Sequence, residues 1–196
     1  MAGGGRAGDG GLSGSVDIDT LPHDRLNAND LARLRELFDA EYFAEFGAWD
    51  PDRPYGYAPH DVHIIARLGA AVVGHVGWAR RTIGVGTAEI VVAGVGGVLI
   101  SRHARRQRAG ARLLAHAALS MKDAGGIEYG YLGWRDEVVA FYESCGWRRI
   151  SAAEHSIDRA GRPVLQPPGP PLLTLALDPK PRSWPAGTID LRGRAW

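Results

Sequence analysis

The sequence predicts an α/β domain, α+β in the wider sense, and three observations carry that expectation. Residues 91–100, VVAGVGGVLI, are rich in β-branched residues and read as a buried strand relieved by glycines. Leu113, Leu114, Ala117, Ala118 and Met121 then recur at helical spacing, and Gly125-Gly126 supplies the stop. Between them lies a short basic loop, residues 101–108. Strand, arginine-rich loop and helix start in succession form an arrangement that holds phosphates. The free N–H groups and dipole of a first helical turn favour an anion, and arginine forks add matching charge. Arg105, Arg106, Gln107, Arg108, Ala109, Gly110 and Ala111 therefore read either as a pyrophosphate cradle or as the solvated basic start of a helix.

The 196 residues are expected to form a single domain over 16–196, after a glycine-rich leader at 1–15 that is disordered or not native. A hydrophobic content of 45% and a charged content of 23% are those of an ordinary globular protein. The net charge of +1 makes the arginine cluster local and argues against a nucleic-acid partner. A lone cysteine, Cys145, permits no internal disulfide and points to a reducing compartment. No apolar run approaches the ~20 residues of a membrane span and no apolar signal core is present, so no membrane partner and a cytoplasmic location are expected.

Taken in order, residues 16–18 start a short strand. A helix over 30–44 follows, capped by Asn29-Asp30, with Leu31, Leu34, Leu37, Phe38 and Phe43 on one face. Residues 42–57 combine breaks and aromatics, Trp49 among them, with the acids Glu41, Glu45, Asp50 and Asp52. Aromatic faces with carboxylates suit a polyhydroxylated cationic amine; the alternative is a loop whose rings pin it to the core. Residues 62–67 and 71–81 form a hairpin about 68–70, in which His63 and His75 read as satisfied structural residues. Residues 87–92 pair back toward the central strand. Residues 127–134 are a strand and 135–145 a helix ended by Gly146. Residues 152–171 are a long proline-rich excursion, and 172–177 a strand.

Residues 105–110, RRQRAG, resemble the coenzyme motif of the GCN5-related N-acetyltransferases, with Arg108 where the first motif glycine usually stands. Within that superfamily the aminoglycoside 2'-N-acetyltransferases carry arginine at this place. Residues 140–147, AFYESCGW, resemble the superfamily's second motif. The segment 74–86 is similar both to the third strand of the aminoglycoside enzymes and to the nodulation N-acyltransferases, which acylate a chitooligosaccharide amine. Residues 184–187, WPAG, are close to the nodulation family, whereas 190–196, ending on Trp196, resemble the aminoglycoside enzymes. The resemblance implies a mixed, mostly antiparallel sheet flanked by helices on both faces. It also implies acetyl-CoA as co-substrate, without a metal.

The leading activity so implied is transfer of an acetyl group to an aminoglycoside amine, giving resistance, with kasugamycin one acceptor. An N-acyltransferase of amino-sugar oligosaccharides is the alternative. In the resembling families Tyr142 lies near the coenzyme sulfur and protonates the departing thiolate; without the cradle it reads as an apolar anchor. Main-chain N–H groups of Val98, Leu99 and Ile100 would polarise the thioester if the fourth strand splays from the fifth. Glu45 matches an acidic residue of the substrate loop, and Glu41, Trp49, Asp50, Gly96, Gly97, Asp190 and Trp196 complete the expected acceptor site. A terminal carboxylate on Trp196 would bind an ammonium while its indole packs. Gly96 stands where the aminoglycoside enzymes carry a glutamate, so either Glu41, Glu45 or Asp50 acts as base, through water, or the neutral amine is bound directly; a non-catalytic acyl-CoA-binding sensor stays open. The oligomeric state, a homodimer included, is open too.

Overall fold

The β-branched runs pair, in a computed structural model that describes residues 15–102, 104, 108–133, 136–178 and 182–196, into one mixed sheet. Among these residues its strands are β1 (Asp17–Pro22), β2 (Val62–Leu68), β3 (Ala71–Val85), β4 (Ala88–Ile100), β5 (Tyr129–Gly133), β6 (Arg148–Ile150), β7 (Glu154–Ile157), β8 (Pro163–Gln166), β9 (Leu172–Ala176) and β10 (Ile189–Arg194). The helices are α1 (Ala28–Phe46), α2 (Ala109–Asp123) and α3 (Val139–Ser144). The strand order is β6-β9-β5-β4-β3-β10-β7-β8, with β2 also on β3 and β1 on β2. Only β4–β5 and β10–β7 are parallel, so the sheet is mostly antiparallel, as expected. The expected leader, save Ser15, and residues 105–107 of the expected cradle fall outside the described residues.

Successive residues of a strand face opposite sides of the sheet, and β2 uses this to hold two helices. Ile64 packs with Leu113, Leu114 and Met121 of α2, while Ile65 packs with Leu34, Leu37 and Phe38 of α1. The two helices thus cover opposite faces. Each fully buried leucine or methionine on α2 contributes about 1.5–3 kcal/mol. Among the described residues no helix is long and apolar enough to cross a membrane.

The structure corrects several expectations. The cap of α1 is Asn27, two residues before the expected one. Its Oδ1 accepts from the N–H groups of Asn29 (2.9 Å) and Asp30 (3.0 Å), and Asp30 Oδ2 accepts from Asn27 N–H, a closed capping box. The excursion at 152–171 carries the hairpin β7–β8. Every residue of β8 is exposed, so it lacks the alternation that marks a half-buried strand. Residues 189–194 form β10, wedged between the end of β3 and β7. The expected helix 135–145 is a short 3-10 turn followed by the six residues of α3.

The site is positioned by what β4 does halfway along. It pairs with β5 only at Val92, Ala93 and Gly94, then runs on to Ile100 while β5 continues against β9. The two strands part at Gly94. Beyond that point β4 also bulges against β3, with Gly97 at φ 57°, a left-handed backbone that favours glycine.

Candidate active site

The donor side of the gap is built around the start of α2. Arg108, the residue before it, adopts the left-handed backbone (φ 53°, ψ 21°) that costs a non-glycine residue about 1–2 kcal/mol. This is the place where the superfamily motif has glycine, so the arginine has kept the glycine's conformation. No side chain caps the helix among the described residues, leaving its first N–H groups to a ligand. Ala109 is fully buried, and a Cβ on Gly110 would lie 3.0 Å from Phe141 Cζ, so α2 begins pressed against α3. An uncapped first turn with small residues and a flanking arginine fits a pyrophosphate. Behind it, Tyr142 is buried edge-on to Trp147, with ring centroids 6.0 Å apart. Burial, with Cys145 and Tyr42 as lesser causes, raises its pKa and keeps the phenol protonated.

The acceptor side is a cleft of about 740 Å³. One end is aromatic: Tyr42, Phe46, Tyr55 and Tyr57 line it, with Tyr55 5.8 Å from Tyr42 and 5.4 Å from Phe46. The turn between β7 and β8 packs on these rings through Arg159, whose guanidinium lies 4.3 Å from the Phe46 ring. Burial, then Asp39 and Tyr42, push the Tyr55 phenol up to about 12. The other end is polar and holds His60, Tyr131, Glu154 and Trp196, over a floor that includes Val95, Gly97 and Val98. Tyr131 donates to Glu154 Oε2, and burial raises the pKa of both.

Two side chains fill the glycine troughs of β4. The Trp196 indole covers Gly94, where a Cβ would come within 1.9–2.2 Å of three ring atoms. Arg81 pins it, stacking 4.0 Å above the ring and donating to the carbonyls of Leu191 (3.1 Å) and Arg194 (2.7 Å). His60 lies where Gly77, Gly96 and Gly97 make room for its ring. Behind it runs a row of histidines. His23 Nδ1 is 3.0 Å from His63 Nε2, His63 Nδ1 is 2.9 Å from His75 Nε2, and His75 Nδ1 donates to Gly97 O at 2.7 Å. Burial is the main cause that lowers His60 to about 3, His63 to about 2 and His75 to about 3, so all three are neutral near pH 7. His63 and His75 are thus satisfied structural residues, as expected.

Of the expected site residues, Val98, Gly97 and Trp196 line the cleft together, and Gly96 lies under Trp196 and His60. Leu99 turns away into the α1 cluster, and Ile100 packs against the α2 cluster. Trp49 is a correction. It stacks flat on Phe38 at 4.9 Å in the core, held by Trp49 N–H to Asp39 (2.8 Å) and Arg35 to Trp49 O (3.3 Å). Glu41 pairs with Arg102 at 3.5 Å, and Glu45, Asp50 and Asp190 are exposed; none of the four lines the cleft. Among the described residues the side-chain carboxylates that do line it are Glu137 and Glu154. Tyr142 does not line it either. Sequence reasoning missed His60, Tyr131 and Glu154. A histidine between two breaks, in PHD at 59–61, was the only local signal.

The fold is that of the GCN5-related N-acetyltransferases. Escherichia coli ElaA superposes with a TM-score of 0.58 at 19% identity, over 82% of this chain and 98% of that one. An acyl-CoA N-acyltransferase from Pseudomonas aeruginosa gives 0.57 at 17%, over 83% and 100%. A GNAT family acetyltransferase from Brucella melitensis, solved with acetyl-CoA, gives 0.54 at 15%, over 88% and 94%. No curated protein sequence matches the chain. The profile of Nodulation protein A (NodA) matches residues 20–193, and the chain belongs to that family. Family and fold together make the chain an acyl-CoA-dependent transferase.

Proposed function

We propose that the protein is an N-acyltransferase that moves an acetyl group from acetyl-CoA to the amine of an amino sugar. The observation that carries this reading is the parting of β4 from β5 beside the uncapped start of α2, opening onto an aromatic cleft. Coenzyme phosphates would be held by the first turn of α2 with Arg105, Arg106, Gln107, Arg108 and Gly110. Main-chain N–H groups of the bulged end of β4 would stabilise the developing oxyanion. Tyr142 would protonate the departing sulfur, and the rings of Tyr42, Phe46, Tyr55 and Tyr57 would stack on sugar faces.

An acceptor of low charge is favoured over a polycation, because Glu41, Glu45, Asp50 and Asp190 do not line the cleft. Membership of the nodulation family agrees with it, since that resemblance implies an amino-sugar oligosaccharide. A second reading, an aminoglycoside such as kasugamycin with resistance as the outcome, is favoured by Trp196 lying over the cleft floor. The test is an assay of acetyl-CoA and long-chain acyl-CoA against glucosamine, chitooligosaccharides and an aminoglycoside panel. Acetylation of the amino sugars with little use of aminoglycosides is expected. Coenzyme binding without turnover of any amine would overturn the reading in favour of a sensor.

A further inference from the structure

Acyl transfer to an amine needs a group that takes the proton from the attacking nitrogen. The resembling aminoglycoside enzymes carry a glutamate where this chain has Gly96, and the structure excludes one there. A Cβ on Gly96 would lie 2.6 Å from the main-chain carbon of Trp196 and 3.0 Å from His60 Nε2. The place is already taken, in part by an imidazole nitrogen. Resting on the N-acyltransfer reading above, we propose that His60 is the catalytic base: its imidazole, part of the cleft wall, accepts the proton of the amine as the new C–N bond forms.

The ring has a purpose-shaped seat. A Cβ on Gly77 would meet His60 Cγ at 2.3 Å and Nδ1 at 2.5 Å, and one on Gly97 would meet Cε1 at 3.2 Å. Three glycines on two adjacent strands thus leave room for one imidazole. The main chain on either side is fixed, by Ala58 N–H to Ala195 O at 2.8 Å and Asp61 N–H to Trp78 O at 2.9 Å. His60 lines the cleft yet is only 4% exposed, and neither ring nitrogen has a partner among the described residues.

The contrast with its neighbours is informative. His23, His63 and His75 spend their facing nitrogens on one another and on Gly97 O, which is what structural histidines do. His60 stands 5.8 Å from His63 and 5.9 Å from His75, ring centre to ring centre, and joins no such bond. A buried, unpartnered imidazole is less stable there than an apolar ring would be, so packing does not account for it. The rival carboxylate, Glu154, is engaged by the Tyr131 phenol.

The titratable groups facing His60 are His63 from β2, His75 from β3, His23 before α1 and the main-chain carboxyl of Trp196 over Gly96, with Glu154 in the same cleft. Burial first, then His63 and His23, keep the ring neutral and able to accept. So weak a base cannot strip a free ammonium, and it acts only once attack has begun. The lone pair of a neutral amine forms the C–N bond to the thioester carbon, and the carbonyl pair moves to oxygen. The nitrogen, now positive and strongly acidic, passes its proton to His60. The carbonyl re-forms as the C–S bond breaks, and sulfur takes the proton of Tyr142. Solvent returns the histidine's proton to the phenolate, leaving one amide and one thiol.

The test uses the full chain with acetyl-CoA and amino-sugar acceptors that differ in amine pKa. His60→Phe and His60→Gln are expected to lower kcat by about 10²–10⁴-fold, the range for loss of a general base, with KM for acetyl-CoA and the coenzyme-induced rise in Tm unchanged. Imidazole in the buffer should restore turnover to His60→Ala. In the wild type, kcat/KM for the acceptor should rise through the pKa of the amine, with no break near 6.5. Wild-type kcat in both His60→Phe and His60→Gln overturns the assignment and leaves the acyltransfer reading standing. A Glu154→Gln loss larger than the His60 losses moves the role to Glu154. A wild-type enzyme that acylates no amine removes the reading, and the base with it.

Discussion

On the donor side of the gap between β4 and β5, the proposed coenzyme groups lie in one continuous stretch of sequence, 98–111, between the end of β4 and the first turn of α2. On the acceptor side the cleft draws on the end of α1, the segment at 54–60, β4, β5, β7 and the last residues of the chain. The first side owes its chemistry to backbone N–H groups and charge, which a helix start supplies wherever it is placed. The second owes its shape to glycines that let Trp196 and His60 approach β4. A donor site of the first kind is carried by one motif. An acceptor site of the second kind exists only when distant segments meet, so its residues differ more in what they cost when disturbed.

The largest expected difference between the two sides is in their response to acid. His60, His63 and His75 have pKa values lowered from 6.5, so the folded state stays neutral where the unfolded chain takes up protons. Their contribution is complete above pH 6.5 and is lost as pH falls toward the folded values, by about 1.4 kcal/mol per histidine per pH unit once well below 6.5. Urea unfolding at pH 7.5, 6 and 5 should show a loss of several kcal/mol, and a flat profile would break the picture of a neutral histidine row.

Next in size is Tyr142→Phe, which probes the donor side. Loss of a general acid should lower kcat by about 10²–10⁴-fold with little change in coenzyme affinity. Wild-type kcat would leave Tyr142 as an anchor for Trp147 and nothing more. Gly94→Ala probes the acceptor side: its methyl would collide with the indole of Trp196. Overpacking should cost about 1–3 kcal/mol or more, seen as a lower Tm and a higher KM for the amine, with coenzyme binding kept. Equal damage to coenzyme affinity would show that the two sides are not separable. The smallest effect is expected of Arg108→Gly. Relief of the left-handed backbone should stabilise the chain by roughly 1 kcal/mol, while coenzyme affinity falls by the loss of one exposed charge, as isothermal titration would measure.

Much of the fold was legible in order along the chain, because its core elements carry strong periodic signals. The apolar stripe of α2, the long β2–β3 hairpin and the β-branched run of β4 all appear where residue pattern puts them. The strands β7, β8 and β10 were not legible. They are short, mostly exposed or mixed, and exist because each finds an edge to pair with: β10 on β3, β7 on β10 and β8 on β7. The aromatic loop was legible as unusual, and the structure divides its rings between two tasks, with Trp49 in the core and Tyr42, Phe46, Tyr55 and Tyr57 at the cleft.

By itself the sequence determined the strand, arginine loop and helix of the donor side, since periodicity and local charge are properties of adjacent residues. It also showed that position 96 carries no carboxylate. Only the tertiary structure decided why, because the reason is occupancy: Trp196 and His60, 100 and 36 residues away along the chain, fill the space above Gly96. Only the structure shows that Glu154 and His60 line the cleft and that Glu41, Glu45, Asp50 and Asp190 do not. Which side chains share a volume depends on how the sheet pairs strands distant in sequence, and no local pattern encodes that.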